Sequence, residues 1–68
     1  MKIDLEMLLS QLRSEVSERD YNILITRFGL DGNGSSTLSD IAENNDISRA
    51  RVHQIEHSML KRLRGYVN

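Results

Sequence analysis

At 68 residues and a net charge of −1, the chain has the size of one domain, near the lower limit of what folds without staples. It has no Cys, which excludes disulfides and thiolate metal sites and suits a reducing, cytoplasmic setting. No apolar run approaches membrane-spanning length and the opening MKIDLEMLL is too acidic for a signal peptide; with no Pro and apolar residues at helical spacing, the expected class is all-α.

The first helix is expected over 4–13, with Asp4 as N-cap. Leu5, Leu8, Leu9 and Leu12 share one stripe, with Ile3 and Met7 near its edges, and the acidic polar face favours a core helix over a membrane-surface one. Arg13 to Val16 makes the corner. Ser17 caps a second helix over 17–28, with Asp20 at the capping-box position and Val16 able to staple onto Tyr21. Tyr21, Leu24, Ile25 and Phe28 form its buried stripe, and Ile23 lies off that stripe. Arg27 sits near the helix end, where capping of carbonyls is preferred to a phosphate contact. Gly29 is the expected left-handed stop. Residues 31–36 (DGNGSS) read as a connecting loop rather than a phosphate cradle, since no GK[ST] and no preceding strand accompany the glycines.

Residues 37–64 outline a helix-turn-helix. A third helix over 37–44 starts at Thr37, with Asp40 three positions on and Ile41 and Ala42 within it. Asn45 and Asp46 tolerate the left-handed backbone of a sharp turn. Ser48 then caps a fourth helix over 48–64, with Ile47 stapled to Val52. Val52, Ile55, Met59 and Leu63 make its buried stripe, with Leu60 beside them. Ala50, Gln54, His57 and Lys61 lie opposite, flanked by His53 and Arg51, with Arg49 in the exposed first turn. Such a helix suits base edges first and phosphates after, though an ordinary amphipathic helix with a solvated basic face reads equally well on this evidence. Gly65 is expected to end it, leaving Tyr66 to Asn68 as a tail.

The charge is unevenly spread. Residues 1–46 hold four Lys/Arg against nine Asp/Glu, a balance of −5, whereas 47–68 hold five against Glu56 alone, a balance of +4. An acidic body thus carries a basic helix. The small basic total implies modest DNA affinity for the isolated domain.

Enzyme chemistry has little support. The Ser and His residues have no third group at a recognisable spacing, and the carboxylates are scattered. His53 and His57 are i, i+4, a metal-ligand spacing, but no third ligand shares their face and no H-E-x-x-H is present. No metal or cofactor is expected.

Arg27-Phe28-Gly29-Leu30-Asp31, then Thr37-Leu38 and Ile41, Ile47-Ser48-Arg49, Val52-His53-Gln54-Ile55-Glu56 and the ending Leu60-Lys61-Arg62-Leu63-Arg64 resemble region 4 of bacterial sigma factors of the housekeeping class. The resemblance covers Val16 to Arg64 without a gap. A LuxR-type domain has a similar helix order but would not be expected to show RFG or the V-x-Q-I-E run. The resemblance implies a single domain over 1–68, a small four-helix fold with a C-terminal helix-turn-helix at 37–64. It implies double-stranded promoter DNA and the beta-subunit flap of RNA polymerase as partners, with no membrane. Base-reading positions carried over are Arg49, Ala50, His53 and Gln54. Backbone-contact candidates are Thr37, Arg51, Lys61 and Arg62, and Ile23 and Ile25 are candidates for the flap groove.

Three departures stand out. Ala50 replaces the Glu of the family pattern, His53 replaces an Arg, and Asn45 replaces a core Leu or Phe. Promoter melting is not expected, because Tyr21, Phe28 and Tyr66 are too few and too core-directed to hold single-stranded bases. The chain is therefore expected to be either a piece of a larger sigma factor or a free-standing region-4 protein. The competing function is a protein-interaction module that binds the flap or a regulator with little sequence-specific DNA contact. A dimeric repressor would need a dimer face, and none is identifiable, so the oligomeric state stays open.

Overall fold

Each helix begins at a side chain expected to cap it. In the computed structural model, which describes residues 4–67, Asp4 Oδ1 accepts from the Glu6 N–H at 3.0 Å and Ser17 Oγ from the Asp20 N–H at 3.1 Å. Thr37 Oγ1 accepts from the Asp40 N–H at 3.1 Å and Ser48 Oγ from the Arg51 N–H at 3.0 Å. Each cap satisfies a backbone donor that the helix leaves orphaned and contributes about 1 kcal/mol. The helices they open are α1 (Leu5–Glu15), α2 (Glu18–Phe28), α3 (Leu38–Asn45) and α4 (Arg49–Tyr66), and no strand occurs among the described residues. The all-α, four-helix expectation holds. Ile3, placed near the first stripe, and Asn68 lie outside the described residues.

Two left-handed residues shape the connections. Gly29 has φ +65°, and both its own N–H and that of Leu30 (3.0 Å) turn back to the Ile25 carbonyl. A Cβ at Gly29 would meet the Gly34 carbonyl carbon at 2.7 Å, so the loop folds directly onto the helix end. Only glycine fits there. The Ser36 N–H closes the loop on the Thr26 carbonyl at 3.0 Å. At the helix-turn-helix corner Asp46 takes φ +54°, and the Ile47 N–H reaches the Ala42 carbonyl at 3.0 Å. Asp46 alone is left-handed. Asn45 stays helical, and its Nδ2 donates to the Ile41 carbonyl at 2.8 Å.

The core draws Leu12 from α1, Ile23 and Leu24 from α2, Ile41 and Ala42 from α3, and Val52, Ile55 and Met59 from α4. Helix α4 is the centre of the fold, packing against the other three. Leu9, Val16, Tyr21, Leu38, Ile47, Leu63 and Tyr66 close around this cluster.

Several expectations need correction. Ile23 lies in the core at 2% exposed, because α2 is flanked by α1, α3 and α4 and so buries a wider arc than a single stripe. Phe28, at the last turn before Gly29, is 42% exposed, and its ring lies 5.6 Å from the Arg27 guanidinium. On α1 burial grows toward the C-terminal half: Leu5 is 52% exposed, Leu8 and Leu9 are half-buried, and Leu12 is fully buried. The corner after α1 is shorter than expected, since Arg13, Ser14 and Glu15 remain helical and the chain turns only at Val16. Gly65 does not stop α4. The helix passes through it to Tyr66, whose ring packs on the core beside the Arg62–Glu15 ion pair of 3.5 Å that ties α4 to α1.

Candidate nucleic-acid interface

Ser48 sets the phase of α4, and the apolar positions then decide which face is left outside. Val52, Ile55, Glu56 and Met59 are buried, so Arg49, Ala50, His53, Gln54, His57 and Lys61 are all exposed together. At ~100° per residue these six span an arc of about 140° on one side of the helix. The four expected base-reading residues thus share the first two turns of one exposed face. Its first turn carries no acidic residue.

The expected backbone-contact residues are more scattered. Lys61 lies on the same face, two turns beyond His53, where it borders a shallow depression with His57, Leu60 and Arg64. Arg64 was not singled out from the sequence, although its i, i+3 relation to Lys61 was legible. Arg51 and Arg62 fall on the flank of the arc. Arg51 leans toward Gln54, with Nη1 3.5 Å from Oε1, whereas Arg62 is turned toward Glu15 on α1. Thr37 is exposed at the start of α3, its oxygen engaged by the cap but its hydroxyl proton still available.

One buried charged group was missed. Glu56, only 8% exposed, is the buried charged residue among the described residues. Its Oε1 lies 3.2 Å from Arg27 Nε, and its Oε2 lies 3.5 Å from His53 Nδ1. Arg27 Nη1 in turn donates to the Ser36 carbonyl at 3.1 Å. The Arg27 Nε–H is not aligned on Glu56, so this ion pair acts through charge rather than as a directed hydrogen bond. Arg27 therefore has the structural role expected of it, with a carbonyl at one end and a carboxylate at the other. The RFG and Q-I-E motifs, which are far apart in sequence, meet here. A charged residue between Ile55 and Met59 on a buried stripe was the signal.

The expected flap residues are not brought to one surface. Ile23 and Ile41 form the floor of a cleft between α2 and α3, rimmed by Asn22, Thr26, Asn44 and Asn45. Ile25 is half-buried about 200° round α2 from it, at ~100° per residue. Asn45, standing where a bulky apolar residue was expected, is on that rim. No group of three residues suited to hold a metal ion occurs among the described residues, and no described helix is long and apolar enough to cross a membrane.

Among the described residues, Asp31 and Tyr66 are displaced from their ordinary values. Asp31 is held below 3.8, first by the Asn33 backbone N–H at 3.0 Å and then by the Asn33 side chain at 3.1 Å. Tyr66 is raised above 10.0, first by burial and then by Glu15; no acceptor is aligned with its hydroxyl, so the carboxylate acts mainly through its charge.

The family model described as Sigma-70, region 4 matches residues 14–65. The chain is 36% identical over 56 residues to the RNA polymerase sigma factor SigA of Lactococcus lactis subsp. cremoris, covering 82% of this chain and 15% of that protein. It is 35% identical over 66 residues to RpoD of Helicobacter pylori strain 26695, covering 96% of this chain and 10% of that protein. It is 31% identical over 67 residues to the sigma-E factor of Clostridium acetobutylicum, covering 98% and 28% respectively. The chain thus spans only a small part of these relatives. No solved structure matches.

Proposed function

The chain belongs to the sigma-70 region 4 family, a transcription module, and from that premise we propose that it binds a −35-type promoter element in the major groove while docked on RNA polymerase. The observation that carries the reading is the shared exposed face of Arg49, Ala50, His53 and Gln54 over the first two turns of α4. A helix of this kind meets base edges with its N-terminal residues. Further along, Lys61 and Arg64 meet phosphates, with Arg51, Arg62 and Thr37 as flanking backbone contacts. A polymerase flap contact falls on the rim of the α2–α3 cleft, with Ile23 in its floor, while Ile25, on the far side of α2, lies outside it.

Ala50 alters the specificity. Its methyl group cannot accept a hydrogen bond from a cytosine amino group, but it can lie against a thymine methyl, and it adds no negative charge near phosphates. Preference at the facing base pair therefore shifts toward A·T, with general affinity kept.

The test is a titration of labelled DNA, with and without polymerase, at two salt concentrations. Gln54→Ala is expected to flatten discrimination among sequences by about 1–3 kcal/mol, the worth of a bidentate base contact. Lys61→Ala should weaken all sequences alike and lower the salt slope by about one unit. Equal, uniform losses in both variants would refute base reading by α4. They would favour the flap- or regulator-binding module instead.

A further inference from the structure

Glu56, a carboxylate buried beneath the proposed base-reading face, divides its two oxygens between different partners. Oε1 faces Arg27 at 3.2 Å, and Arg27 is itself fastened to the Ser36 carbonyl, so the carboxylate is held from below. Oε2 faces outward, 3.5 Å from Nδ1 of His53, whose side chain is 69% exposed. That distance exceeds a formed hydrogen bond, and the contact acts through charge. Neutral imidazole has one N–H and one lone pair, and the surroundings decide which nitrogen carries which. A negative oxygen beside Nδ1 repels a lone pair and attracts a proton. The proton therefore belongs on Nδ1, and the lone pair on Nε2, at the outer edge of the ring.

We propose that Glu56 is a positioning residue for base recognition: by holding His53 in its Nδ1–H form it makes Nε2 an acceptor, which selects a base with an exocyclic amino group. In the major groove those bases are cytosine, through N4, and adenine, through N6. The selection is opposite to that of arginine at this position, which only donates and so favours guanine. Of the other charged or titratable groups, Arg49 and His57 lie one turn away along α4, and Arg27 on α2 pairs with the other oxygen of Glu56. The proposal rests on the DNA-binding reading above, and its two arms are chosen to fail separately.

The first arm uses the free protein and no DNA. Long-range 1H–15N spectra, taken at a pH where they show the rings neutral, report the tautomer of each histidine. His57 is the internal control, being exposed one turn on with no carboxylate within 4.0 Å among the described residues. His53 is expected as Nδ1–H, and His57 as the Nε2–H form that imidazole favours in water. A His53 signature like that of His57 overturns the proposal, whatever the DNA arm gives.

The second arm is selection on randomised DNA. Cytosine or adenine is expected to be enriched about five-fold at the position facing His53, the worth of one neutral hydrogen bond. Glu56→Gln should lose that enrichment while keeping the preference at the position read by Gln54. His53→Arg leaves Glu56 and the core in place, so it keeps the test open if Glu56→Gln fails to fold, and it should move the preference to guanine. Wild-type enrichment of guanine there, or enrichment elsewhere but not there, overturns the inference alone. A folded wild type that selects no sequence at all overturns the DNA-binding reading and the inference with it.

Discussion

Removing both ends of the Arg27–Glu56 ion pair should cost less than the two single removals combined, and the size of that difference measures the joint between α2 and α4. The side chains are 30% and 11% exposed, with 3.2 Å between Nε and Oε1. At an effective dielectric of about 20, Coulomb attraction at that separation is about 5 kcal/mol, an upper bound before desolvation is counted. Solvent reaches Arg27, the Nε–H is not aligned on its partner, and Arg27 keeps its bond to Ser36, so a coupling of about 1–2 kcal/mol is expected. Glu56→Ala alone should be the worse single change, at about 2–3 kcal/mol, because it leaves a guanidinium half-sheltered without its carboxylate. Arg27→Met preserves volume, and the double variant completes the cycle. Urea unfolding followed by circular dichroism gives each free energy. A coupling within about 0.3 kcal/mol of zero would mean that the pair is incidental and the joint is made by packing alone.

Ile55→Ala should destabilise by about 2–4 kcal/mol, whereas Phe28→Ala, at an exposed helix end, should cost about 1 kcal/mol or less; equal shifts in thermal unfolding would contradict the core assignment. Asn45→Leu should raise stability by about 1 kcal/mol by covering the floor of the α2–α3 cleft, and a lower urea midpoint would show that the Asn45–Ile41 bond matters more than the added apolar contact. Asp31 should titrate below 3.8 in carbon NMR, and Asn33→Ala should move it back up; since the folded value is the depressed one, the loop's contribution is present above 3.8 and is lost as pH falls through that lower value. A midpoint unchanged by Asn33→Ala would remove the Asn33 side-chain amide as a cause and leave the backbone N–H alone.

Much of this was legible because caps and apolar spacing are local signals. Asp4, Ser17, Thr37 and Ser48 each stand one residue before a helix whose periodic positions confirm the start. Helix ends were harder. Gly29 and Asp46 announce a left-handed stop, but Gly65 has the same composition signal and no neighbouring element forces the chain to turn, so Tyr66 stays helical against the core. Ile23 and Phe28 exchanged their expected places for a different reason. Which side of α2 is buried depends on where α1 and α3 dock, and no window along α2 contains that information. The exposed face of α4 was readable because its stripe is long, while the partner of Glu56 lies on another helix and had to be seen in three dimensions.

Helix α4 keeps its two duties on separate side chains. Val52, Ile55, Glu56 and Met59 are buried against the rest of the fold, while Arg49, Ala50, Gln54, His57 and Lys61 are exposed. Substitutions on the second set should stay within about ±0.5 kcal/mol in stability. On the proposed reading, such a helix changes the bases it selects by single steps, each leaving a folded protein behind. His53 is the exception among these exposed residues: it lies beside the buried carboxylate of Glu56, so a change there is felt on both sides of the helix at once.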